Sequence, residues 1–348
     1  LHFINARGGK SILELMVGSD LAFTSVDDAL AATVEGDVFA VREGDTGLWD
    51  YYVNHEGAAD YYSSRNGGTT IFDNFVAQLE LAVETARNEG YALTDQLVVS
   101  FIQGQSDSNT NHPVYDYSYL LETYYAKIDA EADRIFGKDV EVLMGVTQHG
   151  GFGDRRVAIE QLEAITENDG IVLAGVEYEE QSSTPETPFE GGAHLSPEGY
   201  SDLGLTIGAA LYDAMTGAPD APILMETVTW QDAQTLIVSF SGGEGALVVD
   251  TSIYAEDTNG VTSPQTLGFE LYDDRGKVRS DLPEIVSATV TGETEVTLVF
   301  DVDVTGNEYR LYLGRIEGSE QETEFRVGLG SPLRDSEITT SAPQTGTD

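Results

Sequence analysis

The sequence predicts a parallel α/β sheet sandwiched by helices over residues 1–216, followed by an all-β sandwich over residues 223–336. Three observations carry this expectation. Strand-like and helix-like segments alternate through the first two thirds of the 348 residues, as parallel strands joined by crossover helices require. Beyond residue 223 apolar residues instead recur at every second position, with no helical stretch. Between the two parts, Gly217-Ala218-Pro219-Asp220-Ala221-Pro222 has the composition of a linker.

The elements follow in chain order. Leu1–Ala6 reads as a core strand; because a chain rarely begins in mid-strand, further sequence is expected upstream. Residues 24–70 hold Trp49, Tyr51, Tyr52, Tyr61 and Tyr62 among Asp, Gly and Asn with weak periodicity. They are read as a long insertion over the open end of the sheet. A flat apolar ring with a polar edge suits stacking on a sugar, which makes Trp49 and Tyr51 candidate substrate contacts. Strands are expected at residues 97–103, 140–147 and 171–176, and helices at 72–89, 115–136 and 155–167. Another helix starts at Ser196-Pro197, a serine cap with a first-turn proline, and runs through Leu203, Ile207 and Leu211 to Gly217. In the β region, residues 235–240, 246–249, 267–271 and 296–300 are strand-like. Residues 337–348 are Ser/Thr/Pro-rich and read as a flexible tail.

Composition removes several functions. The chain carries 61 acidic against 17 basic residues, a formal net charge of −44. Such a field repels nucleic acid and anionic membranes, so neither is expected as a partner. The acidity is spread along the whole chain, the pattern of a surface solvated in salty surroundings. No apolar run reaches the length of a membrane span. With no cysteine, disulfides, thiolate zinc sites and cysteine nucleophiles are excluded. His2, His55, His112, His149 and His194 form no metal-binding pair at helical spacing, and no metal or other cofactor is expected.

Two segments carry candidate chemistry. Leu97–Asp107 is an apolar run breaking into the polar turn Gln103-Gly104-Gln105-Ser106-Asp107. A strand ending this way presents polar groups at the open edge of a sheet, where α/β proteins keep their sites. Gly192–Tyr200 sets His194 on a turn before a helix, a proton carrier suited to neutral pH. His149, on the polar turn after the third strand, is a further candidate substrate contact.

Arg7-Gly8-Gly9-Lys10-Ser11-Ile12-Leu13-Glu14-Leu15, Gln103-Gly104-Gln105-Ser106-Asp107 and His194-Leu195-Ser196-Pro197-Glu198-Gly199-Tyr200 resemble three of the four sequence blocks of the SGNH hydrolases. Within that superfamily they are similar to the sialate O-acetylesterase-like carbohydrate esterases and to esterase domains of bacteriophage tail proteins. The resemblance implies a flavodoxin-like sheet and a serine attacking an ester carbonyl. It also implies roles: His194 as general base, Gly8 or Gly9 donating a backbone N–H to the oxyanion, and Gln103 donating its side-chain amide. The sequence departs from the pattern at three points. The first block, a strand ending in Gly-x-Ser, is expected ahead of Leu1, because Ser19 in Gly18-Ser19-Asp20 follows a helix-like segment, Ser11–Met16, instead of a strand. Gln105 stands where a glutamate is usual. Gly191 occupies the position of the acid three residues before the histidine, leaving Glu190 to orient His194. Asp107 is expected near the substrate, bracing its loop.

The resulting expectation is an extracellular or virion-associated serine esterase removing O-acetyl groups from polysaccharide. The rival is a non-catalytic carbohydrate-binding or structural module of a phage tail or cell-surface assembly, with homo-oligomerisation or attachment to a larger assembly open to either.

Overall fold

The structure is a computed structural model. It describes residues 10–44, 46–65, 68–104, 106–108, 114, 116–148, 156–176, 197–217, 224–241, 245–249, 266–267, 269–273, 282–304, 309–313 and 333–335. The expected strand at residues 1–6, most of the linker and the tail lie outside these residues. Contacts divide the chain into two compact units, one formed by described residues up to Val176 with Pro197–Met215 and the other from Thr216 onward. The architecture is mixed α/β.

In the first unit three strands, β5 (Gln96–Ile102), β6 (Glu141–Gln148) and β7 (Ile171–Val176), form a parallel sheet in the order β5-β6-β7. α3 (Ile71–Asn88) precedes β5, and α4 (Tyr117–Phe136) and α5 (Arg156–Glu167) connect the three strands, as the alternating pattern predicts. Each buries one stripe. On α3 it is Phe72, Phe75, Leu79, Val83 and Ala86; on α4 it is Leu120, Leu121, Tyr124, Ile128 and Ile135. These three- and four-residue steps keep one helix face on the core. The same core takes in α1 (Ile12–Met16) through Ile12, Leu13 and Met16.

The last helix of this unit, α6 (Pro197–Thr216), packs through Leu203, Ile207 and Leu211 against Leu143 and Ala174. Its direction follows from two glycines. A Cβ at Gly175, near the end of β7, would lie 3.5 Å from Leu203 Cδ1, whereas one at Gly145, in the middle of β6, would lie 2.6 Å from Leu211 Cδ2. The helix therefore runs antiparallel to the strands and begins at their carboxyl edge.

Residues 24–70, read from their weak periodicity as a long insertion, hold regular structure of their own. They contain α2 (Val26–Ala32) and most of a four-stranded sheet in the order β1-β2-β3-β4, formed by β1 (Ala22–Phe23), β2 (Val38–Arg42), β3 (Trp49–His55) and β4 (Ala58–Arg65). The signal is short-range: Glu56 and Gly57 both adopt positive φ, 50° and 78°, in the two-residue turn joining β3 to β4. Gly57 N–H donates to Asn54 Oδ1 at 3.1 Å, closing that turn.

The second unit is built of strands. β8 (Leu224–Trp230), β9 (Thr235–Ser241), β12 (Ile285–Val290) and β13 (Glu295–Phe300) form an antiparallel sheet ordered β12-β13-β9-β8. Two two-stranded ladders accompany it: β10 (Leu247–Val249) with β15 (Leu333–Asp335), and β11 (Phe269–Asp273) with β14 (Tyr309–Leu313). Alternation decides what faces inward. Leu236, Val238 and Phe240 on β9 and Val296, Leu298 and Phe300 on β13 are buried, with Phe269 of β11 edge-on to Phe240 at 6.3 Å.

Candidate active site

The first unit gathers polar side chains where β5 ends. After Ile102 the chain turns through Gln103 and Gly104, and the N–H groups of Asp107 and Ser108 both donate to Gly104 O, at 3.1 and 2.9 Å. That turn aims Asp107 inward, where it is fully buried. Asp107 Oδ2 accepts from the Ile12 N–H at 2.7 Å and from Gln103 Nε2 at 2.6 Å. Its Oδ1 accepts from the Ser11 hydroxyl, and the Arg65 guanidinium of β4 stands 3.6 Å away.

Ser11 is the N-cap of α1. Its Oγ accepts from Leu13 N–H at 3.3 Å, while the Glu14 carboxylate accepts from the Ser11 N–H at 2.9 Å, a reciprocal capping box. Lys10 reaches the same carboxylate at 3.1 Å. The serine is thus fixed by its backbone, its neighbour three residues on and a carboxylate 96 residues away.

Gln103 is held at both ends of its amide. Nε2 donates to Lys10 O at 3.0 Å as well as to Asp107, and Oε1 accepts from the Tyr117 hydroxyl. Gln161 Nε2 of α5 donates to the Gln103 backbone oxygen at 2.8 Å. Both amide N–H bonds of Gln103 therefore end on protein oxygens. One must turn away from Lys10 or Asp107 before the amide can meet an oxyanion.

Burial sets the charge states. It pushes the Asp107 carboxyl above the usual carboxylate range, against the opposing pull of Ser11, the Ile12 N–H, Gln103 and Arg65. Burial, reinforced by the Asp107 charge, raises the Tyr117 hydroxyl well above the ordinary phenol range and keeps it a donor. The cluster is a serine hydroxyl whose proton points at a buried carboxylate, beside an amide whose orientation is fixed.

The residues expected from sequence divide into those seen here and those that are not. Gln103 and Asp107 come together. Asp107 holds the serine and the amide and, being wholly buried, has no face for a substrate. Tyr51 is corrected: it too is fully buried, its hydroxyl donating to Gly68 O at 3.0 Å, because its side of β3 faces the core. Trp49 is half-buried and packs against the same core. Gly8, Gly9, His149, Glu190 and His194 lie outside the described residues.

Sequence reasoning missed Ser11, although the signal was present. Gly9-Lys10-Ser11 is itself a Gly-x-Ser at the head of a helix, inside the block that the resemblance reads for its glycines. Arg65 and Tyr117 reach the cluster from other elements, and no local pattern marks them.

No profile of a known protein family matches the chain, and no curated protein matches it. Among solved structures, a carbohydrate acetylesterase from Xanthomonas citri superposes with a TM-score of 0.41 at 12% identity, over 71% of this chain and 61% of that one. The chain thus spans less than two thirds of that protein's length, and a likeness this remote carries no functional argument.

Proposed function

We propose that the chain is a serine esterase that removes O-acetyl groups from carbohydrate, with Ser11 as its nucleophile. The observation that carries the reading is the meeting of Ser11, Gln103 and Asp107 where the first parallel strand ends. The SGNH-like resemblance of the first unit, and a sandwich reading of the β strands that follow, belong to the same proposal. In this reading Ser11, buried in the structure with its proton pointing at Asp107, must first be uncovered and released from that carboxylate. Its Oγ then attacks the acetyl carbon while His194 takes the proton. The tetrahedral intermediate collapses as the sugar hydroxyl leaves with a proton from His194. Water, activated by the same imidazole, then releases acetate from the acyl-serine. Asp107 keeps Ile12 in place through these steps, and Glu190 orients the imidazole. The start of α6 at the carboxyl edge, three residues beyond His194 in sequence, supports the pairing.

The test is acetate release from an O-acetylated polysaccharide by the full chain. Replacing the nucleophile is expected to cost about 1,000-fold or more, as in other serine hydrolases. A Ser11→Ala protein with unchanged circular dichroism and undiminished release overturns the assignment.

One observation favours the rival. Ser11 is fully buried and its proton already points at Asp107, an arrangement that a purely structural cap also needs. A non-catalytic carbohydrate-binding module would bind the acetylated polysaccharide and release no acetate, whichever residue stands at position 11.

A further inference from the structure

A cavity of about 860 Å³ opens in the first unit between the β3–β4 hairpin, the start of α4 and α5. Its wall is acidic. Glu35, Asp60, Asp116, Glu160 and Glu163 line it, and among the described lining residues none is a lysine or arginine. His55, also in the wall, lies 3.3 Å from Glu35. Three aromatic rings share the wall. Tyr61 is 58% exposed and Tyr119 40% exposed, and Tyr62 is packed partly into the core. Burial, followed by the Asp116 charge, raises the Tyr62 hydroxyl above its ordinary range, so it presents a neutral hydroxyl.

We infer that this cavity binds a saccharide carrying a protonated amino group, its pyranose ring laid against Tyr61 or Tyr119 and its ammonium held by Asp60 and Glu163. The volume falls within the range of small-ligand sites. Exposed phenol faces stack on the apolar face of a sugar ring and attract a cation beside it. Carboxylates accept from ammonium and hydroxyl donors alike, but they repel a uronate or any other acidic sugar. Neutral sugars would satisfy the rings and leave the charge uncompensated. A bare polyamine would satisfy the charge and leave the rings without a flat partner.

Not every carboxylate of the wall is free for a ligand. Glu160 accepts from the Tyr117 N–H and, at 3.3 Å, from the Ser118 N–H, so it caps α4 and is a poor choice for substitution. Glu35 accepts from the Glu56 N–H. Asp60 and Glu163 are accordingly the positions to alter.

The experiment is isothermal titration of the full chain with the glucosamine trisaccharide, its fully N-acetylated counterpart, a glucuronic acid oligomer and spermidine. The trisaccharide with free amines is expected to bind at least about tenfold more tightly than each of the other three. The double variant Asp60→Asn/Glu163→Gln is expected to lose about tenfold, the scale of one charge-assisted hydrogen bond, and Tyr61→Ala to weaken binding as well. Equal binding of the N-acetylated sugar or of the uronate, spermidine matching the trisaccharide, or unchanged affinity in all variants overturns the inference. The Ser11→Ala protein is titrated in parallel. Retained binding without acetate release, or acetate release without amino-sugar binding, separates failure of one reading from failure of the other.

Discussion

Asp107 shows how one buried carboxylate can organise a site. It gathers the Ser11 hydroxyl, the Ile12 backbone N–H, the Gln103 amide and the Arg65 guanidinium, bringing α1 and β4 to its own loop. Truncation as Asp107→Ala leaves these donors facing one another without an acceptor and is expected to cost about 3 kcal/mol in urea unfolding. The pH dependence has a defined sign. Because the folded carboxyl titrates above its ordinary value, its contribution to stability is complete below about pH 4 and is lost as pH rises through the raised value. Asp107→Asn carries no such titration, so its unfolding free energy is expected to fall less steeply than that of the parent between pH 4 and 7. Parallel slopes would show that the carboxyl is not shifted upward.

At the scale of elements, α6 and the parallel sheet meet at a contact that tolerates no side chain. A Cβ at Gly145 would stand 2.6 Å from Leu211 Cδ2 and 2.9 Å from Ala174 Cβ. Gly145→Ala is therefore expected to destabilise the protein by about 2 kcal/mol, the usual cost of overpacking, measured by denaturant unfolding. Elements with strong periodicity were legible in the sequence: α3 and α4 begin and end within about two residues of their expected bounds, as element ends generally allow. The Trp49–Arg65 hairpin was not, because its aromatic residues fall on both faces and suggest no single buried side. Of the candidate site, Gln103 was legible from its strand-to-turn position. Ser11 lies in a block read for its glycines, and Arg65 and Tyr117 join it by tertiary approach alone.

The whole molecule carries its −44 charge with few compensating cations, and many of its ion pairs sit at the surface, such as Arg134 with Glu80 and Glu131. Exposed pairs of this kind contribute little. Self-repulsion among the remaining carboxylates opposes the compact state and is relieved when salt shortens the Debye length to about 3 Å at 1 M. The thermal midpoint is expected to rise as NaCl is increased from low concentration to 1 M. A flat or falling midpoint would show that the acidic surface is not a source of instability.

Tyr117 is anchored twice, its peptide nitrogen on Glu160 at the cavity and its phenol on Gln103 in the serine cluster. The opening turn of α4 and the heading of the amide consequently share one hinge pin. Any shift of that turn drags the carboxamide with it, which ties what happens at the tyrosine-lined hollow to the alignment of groups around Ser11.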